Sequence, residues 1–179
     1  MDLRKEKKME HQYSLQERRR LHNLAIATMY LEKDVNIGGI IRTANAAAVK
    51  EVIIVGRRKF DWTGITSAKG KTPVTRLRTL DEFLEYVDQK SYNLCALEIS
   101  PNATNIFDFK YPENPVLVVG NEGRGMPEKL LERSELIKLP QYGDVECLNV
   151  ATSLAIAIYD WIRKNAILPE RKIRDYKFI

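Results

Sequence analysis

Histidine and cysteine, the side chains that most often hold transition metals, are scarce in this chain: two of each in 179 residues. Cys95 and Cys147 share no C-x-x-C or other metal-ligand spacing, so neither a zinc site nor a disulfide framework can be built from them, and a reducing, cytoplasmic setting is expected. His11 and His22 both lie in or beside a basic N-terminal run, where a Ser-His-Asp site or a His-ligated metal would have to be assembled from an arm outside the core, so no metal is expected. Long apolar runs are absent too. Nothing approaches the ~18 uninterrupted apolar residues of a membrane span, and the N-terminus has no apolar segment of the kind a secretory signal needs. What remains has globular proportions, 44% apolar and 30% charged, in a length suited to one domain with a core that needs no staple.

Charge is segregated along the chain. Residues 1 to 20 carry seven Lys/Arg against four Asp/Glu, residues 56 to 78 seven against one, and residues 163 to 179 six against two. These segments hold +13 of a total of +5, which leaves −8 for the rest. Converging in space they would present a basic face to a polyanion, and nucleic acid is favoured over lipid because no amphipathic anchor helix is evident. Within the middle segment Arg57, Arg58, Lys69 and Lys71 are the candidate RNA contacts.

Short apolar runs alternate with helical periodicities. Strands are predicted at 24–30, 52–55, 74–77, 93–99, 116–119 and 135–139, and helices at 38–49, 81–89, just after Pro127, and at 149–164. This alternation defines an α/β class with a mostly parallel sheet covered by helices on both faces, in which Val116 to Val119 reads as a central strand. The predicted organisation is a basic extension over 1–22, a core over 23–165 and a short basic tail over 166–179.

One phosphate-loop imitation fails. Ala68 to Thr72 ends as such a loop would, but Ile65 stands where its first glycine belongs and Pro73 where the helix should continue. Three other segments read together. The first runs from Asn36 to Ala48, with paired Gly38 and Gly39 suited to close approach of a ligand, an alanine run suited to tight packing, and Arg42 in the early turns of a helix. The second, Val119 to Pro127, is a buried strand leading into three glycines at the carboxyl end of a sheet, where ligands of open α/β folds bind. The third, Ile137 to Leu154, is a strand ending at Pro140, a polar loop and a helix with Asn149 as its cap.

In order and spacing, N-x-G-x-x-x-R-T-A, V-G-N-E-G-x-G and L-P…C-L-N-V-A resemble the signature segments of the SpoU/TrmH branch of the SPOUT RNA methyltransferases. The resemblance covers about 24–164. It implies a SPOUT methyltransferase domain whose C-terminal part forms a deep trefoil knot, an exception to the rule against knotted chains. It also implies S-adenosylmethionine (S-adenosyl-L-methionine) as cofactor, a ribose 2′-hydroxyl of tRNA or rRNA as methyl acceptor, and a homodimer. Carried over by position, the conserved motif residues fall on Asn36, Arg42, Glu122, Cys147 and Asn149, and the cofactor-lining positions on Leu97, Gly120, Leu139, Leu148 and Ser153. Arg42 would stabilise the developing alkoxide, since a guanidinium keeps its proton, while Glu122 would anchor Arg42 or a ligand donor. Three positions depart from the pattern: Cys147 and Ala151 replace serines, and Gln141 replaces the usual methionine. A non-catalytic RNA-binding protein on the same fold is the alternative that Cys147 and Ala151 allow, and the retention of Arg42, Glu122 and Asn149 speaks against it.

Overall fold

The computed structural model describes residues 22–57, 59 and 70–165. The tail over 166–179, the extension over 1–22 apart from His22, and the side chains of Arg58 and Lys69 lie outside these residues. The core begins with strand β1 (Ala25–Met29) and helix α1 (Asp34–Ala46), followed by β2 (Glu51–Val55) and β3 (Val74–Leu77). Helix α2 (Leu80–Gln89) leads to β4 (Asn93–Leu97), a two-residue β5 (Thr104–Asn105) and β6 (Pro115–Val119). The short helix α3 (Glu128–Leu131), β7 (Glu135–Lys138) and α4 (Val150–Asn165) complete it. All pairings are parallel, in the order β3-β2-β1-β6-β4-β7-β5.

The period-2 geometry of strands sorts the apolar residues to two faces. Ile26, Val52, Ile54, Cys95, Leu117 and Val119 pack on one side with Ile37, Ile40 and Ile41 of α1 and Leu154, Ile158 and Trp161 of α4. Their chain neighbours Ala27, Ile53, Val55, Ala96, Val116 and Val118 pack on the other with Phe83, Leu84 and Val87 of α2 and Leu130 of α3. The expected two-sided α/β architecture is therefore present, and β1 and β6 are buried along their whole length.

Two expectations change and one rejection is reinforced. Helix α1 starts at Asp34, so Gly38 and Gly39 lie inside it and Arg42 sits in its third turn. Gly39 serves helix packing: a Cβ built on it would lie 3.5 Å from the Cβ of Ala151 on α4. The pseudo phosphate loop leads into strand β3 with no helix after Pro73, which removes the last support for that reading. His22 belongs to the core and not to an outlying arm. It is buried, its Nδ1 lies 3.2 Å from the Ala47 carbonyl, and its ring meets Trp161 edge-on at 5.7 Å.

Two buried carboxylates fasten the layers. Glu51, at the start of β2, accepts hydrogen bonds from Thr75, Tyr86 and Tyr92, and burial first, then this carboxylate, holds both phenols above their ordinary range. Asp160 of α4 pairs with Lys164 at 2.8 Å and Arg163 at 3.0 Å and accepts from the Tyr111 hydroxyl at 3.0 Å. Lys164 also donates to the carbonyls of Ile106 and Phe109, which ties the segment after β5 to the last helix.

The Gly39 contact generates a test. Gly39→Ala should be tolerated and raise stability by up to about 1 kcal/mol, because alanine fits the space and favours helix. Gly39→Leu should cost about 1–3 kcal/mol by prising α1 from α4. Urea unfolding of the two variants checks the order.

Candidate active site

The carboxyl ends of β1, β4, β6 and β7 open into one cleft of about 390 Å³, a size within the ~300–1,000 Å³ of small-molecule sites. Leu97, Val119, Ile137, Leu139 and Leu148 form its apolar wall, while Asn36, Glu98, Glu122, Asn149 and Ser153 add polar groups. All five expected cofactor-lining residues, Leu97, Gly120, Leu139, Leu148 and Ser153, line this cleft, as do Asn36, Glu122, Cys147 and Asn149.

Two side-chain hydrogen bonds join the three motifs. Asn149 Oδ1 accepts from the backbone N–H groups of Ala151 at 2.9 Å and Thr152 at 3.3 Å, which caps α4 as expected. Its Nδ2 donates to Asn36 Oδ1 at 3.0 Å, and Asn36 Nδ2 donates in turn to Glu122 Oε1 at 2.8 Å. Glu122 also accepts from the backbone N–H of Glu32 at 3.1 Å and of Lys33 at 3.4 Å. The first turn of α1 has no cap from its own side chains, and this carboxylate supplies both acceptor and negative charge at the positive end of the helix. Burial alone would raise the Glu122 pKa, but hydrogen bonds from its own backbone, from Glu32, Asn36 and Lys33 outweigh it and hold the carboxyl below its ordinary range.

The loop carrying Glu122 is closed on itself. Asn121 and Gly125 exchange backbone hydrogen bonds at 2.9 and 3.0 Å, and Asn121 Oδ1 accepts from the N–H groups of Gly123 and Arg124 at 2.9 Å. A Cβ on Gly120 would fall 2.6 Å from the Gly125 backbone, so glycine is obligatory there.

Arg42 is placed apart from this network. It is exposed on α1, does not line the cleft, and has no hydrogen-bond or ion-pair partner among the described residues. The expected anchor from Glu122 to Arg42 is absent, because that carboxylate is engaged with Asn36 and the start of α1. Arg57 is likewise engaged: it ion-pairs with Asp34 and donates to the carbonyls of Leu31 and Glu32, clamping the β1–α1 connection. Lys71 is exposed. Lys33 and Glu98 line the cleft and were missed; Glu98 directly follows β4, so the rule that ligands gather at carboxyl ends of parallel strands points to it. Of the cysteines, Cys95 is buried in the sheet, its thiol pushed up to about 12 by burial and by Glu135, whereas Cys147 faces the cleft.

A parallel α/β domain with three motifs converging on a cleft at its strand ends is a ligand-binding domain of the open-sheet class. The chain belongs to the SpoU rRNA methylase family, whose profile matches residues 23–159. A Staphylococcus epidermidis protein assigned to the TrmH family of tRNA/rRNA methyltransferases is 32% identical over 148 residues, 79% of this chain and 59% of that protein. The tRNA (guanosine(18)-2′-O)-methyltransferase TARBP1 of Mus musculus is 24% identical over 156 residues, 82% of this chain but 10% of its own length. The chain thus spans less than two thirds of either relative. The AdoMet-bound rRNA methyltransferase structure from Sinorhizobium meliloti shares the fold, with a TM-score of 0.70 at 24% identity over 84% of this chain and 60% of that one.

Asn149→Ala should cost about 1–2 kcal/mol through the lost cap, whereas Asn149→Asp should restore the cap but not the donor to Asn36. Thermal melts separate the two effects. Glu122→Gln tests the carboxylate by pH. A carboxyl with a lowered folded pKa contributes stability above the unfolded value, ordinarily near 4.5, and loses it as pH falls through the folded value. The Tm gap between wild type and Glu122→Gln should hold at neutral pH and close below about pH 4.5.

Proposed function

We propose that the chain is an S-adenosylmethionine-dependent RNA methyltransferase acting on a ribose 2′-hydroxyl of tRNA or rRNA. The observation that carries this reading is the convergence of Asn36, Glu122 and Asn149, hydrogen-bonded in series, on the wall of the 390 Å³ cleft. The cleft suits the cofactor chemically: it combines apolar walls with the Ser153 hydroxyl and with Gln141, whose amide oxygen is buried without a hydrogen-bond partner in the structure. A buried acceptor of this kind calls for a donor from a ligand.

S-adenosylmethionine, when bound, supplies a methyl group already activated by its sulfonium. Leu97, Leu139 and Leu148 would hold its apolar parts, Ser153 and Gln141 its polar groups, and Gly120 allows the loop to close beside it. The chain's remaining task is to orient the ribose oxygen and stabilise it as it loses its proton. Arg42 takes that part as a fixed cation that never serves as base. Its position outside its own cleft fits a homodimer. Val35 and Arg42, one heptad apart on α1, are exposed, as are Ile156 and Tyr159 on α4, which packs against α1, and exposed apolar residues on these two helices suit a second copy of the chain. The expected knot of the C-terminal segment and a cytoplasmic location belong to the same reading. No helix among the described residues is long and apolar enough to cross a membrane.

S-adenosylhomocysteine should bind and raise Tm, whereas NAD and ATP should not, because only a ligand of the folded state stabilises it. Arg42→Ala should slow methyl transfer from labelled S-adenosylmethionine to RNA by about 100-fold or more, the scale of one lost alkoxide-stabilising donor, with S-adenosylhomocysteine affinity nearly unchanged. Calorimetry without heat at millimolar S-adenosylhomocysteine, or near-normal turnover by the alanine variant, would overturn the assignment.

A further inference from the structure

A second cavity, of about 280 Å³, lies behind the loop that carries Glu122 and is lined by Tyr30, Glu32, Asn121, Arg124, Gly125, Met126 and Pro127. It shares Asn121 and Gly125 with the main cleft, so the two are separated only by the thickness of this loop. Tyr30 and Glu32, which complete its walls, lie outside all three motifs.

Tyr30 is set in place at a cost. Its φ of 56° is a left-handed conformation that bulky residues rarely adopt. The ring lies so close over Gly56 that a Cβ there would come within 2.1 Å of Tyr30 Cδ1, and Gly56 itself has φ +83°. Asn121 Nδ2 donates to the Tyr30 carbonyl at 2.8 Å, which ties the residue to the loop between the cavities. One side of the ring is thus backed by chain, while the residue remains 37% exposed. Arg124 lines the same cavity, its side chain 85% exposed and loosely paired with Glu32 at 3.6 Å. A fixed aromatic ring, a loosely held guanidinium and a carboxylate acceptor form the set with which proteins take up an unpaired base: stacking on the ring, with hydrogen bonds to the base edge.

We propose that this cavity receives one unpaired base of the substrate RNA, stacked on Tyr30 with Arg124 and Glu32 at its edge, and so sets which nucleotide lies across the loop from the methyl donor. The inference rests on the RNA methyltransferase reading. It assigns binding to residues outside the cofactor cleft, and this makes it separately testable.

The probe is a single-stranded ribo-octamer containing all four bases, compared with an abasic octamer of equal charge, each titrated against the full chain saturated with S-adenosylhomocysteine. Wild type should prefer the base-bearing strand by about tenfold, within the range a stacked base is worth. Tyr30→Phe should keep that preference and Tyr30→Ala remove it, while S-adenosylhomocysteine affinity stays within twofold. Arg124→Ala, on an exposed side chain that does not threaten folding, should lower affinity for the base-bearing strand several-fold and leave the abasic strand less affected. Equal binding of the two strands by wild type, or a preference indifferent to both Tyr30→Ala and Arg124→Ala, overturns the inference alone when S-adenosylhomocysteine binds normally. Failure of wild type to bind S-adenosylhomocysteine defeats the reading beneath it.

Discussion

A single side-chain amide, that of Asn36, holds the site together. Its oxygen accepts from the cap of the last helix and its nitrogen donates to the carboxylate that begins the first, so three segments far apart in sequence meet through two hydrogen bonds. Asn36 is buried, where an unpaired polar group costs about 1–3 kcal/mol, so each partner is needed to satisfy the next. An amide is the side chain that can donate and accept in one plane, and neither Asp nor Leu at this position could bridge Asn149 to Glu122. Small residues around it serve the same geometry: Gly120 permits the loop to double back, and Gly39 and Ala151, each with at most a methyl, let α1 and α4 lie close.

The two ends of the sheet divide the work. At the amino ends, Glu51 gathers three hydroxyls and joins β2 to β3 and α2 in a satisfied polar cluster. At the carboxyl ends, polar groups are left facing open space. Asp160, on the far part of α4, again serves attachment, holding Tyr111 and Lys164. Buried charge thus fastens the layers away from the cleft, whereas the charged groups lining the cleft, Lys33, Glu98 and Glu122, are not buried.

Much of this was legible in the residues. Apolar runs such as Val116 to Val119 could only be buried strands, and Asn149 before an apolar stripe read as a cap, as it is. What stayed hidden depended on contacts distant in sequence. β5 is two residues long and has no apolar run to announce it. The start of α1 was set four residues too late, at the glycine pair, which was read as allowing close approach of a ligand, whereas Gly39 packs against Ala151 of α4. His22 looked peripheral beside so many charges, yet the ring of Trp161, nearly the whole domain away in sequence, encloses it. The series Asn149, Asn36, Glu122 joins residues that the resemblance named, but the partner each would choose could not be read from spacing, and Glu122 takes Asn36 and the start of α1 in place of Arg42.

The contact of Gly39 with Ala151 has a further consequence for how a ligand enters. Two helices packed this closely, and locked by Asn149 on Asn36, move as one body, and the strands beneath them are buried from end to end. The floor of the cleft is therefore well anchored, and the segment between Lys138 and Asn149 is its least anchored wall. Residues 142 to 149 of that segment are all exposed, and the Gln141 side chain donates only a long hydrogen bond, 3.4 Å, to the Glu146 carbonyl. Beside buried strands and packed helices, the exposed 142–149 segment is the part of the cleft wall that can shift without breaking core contacts.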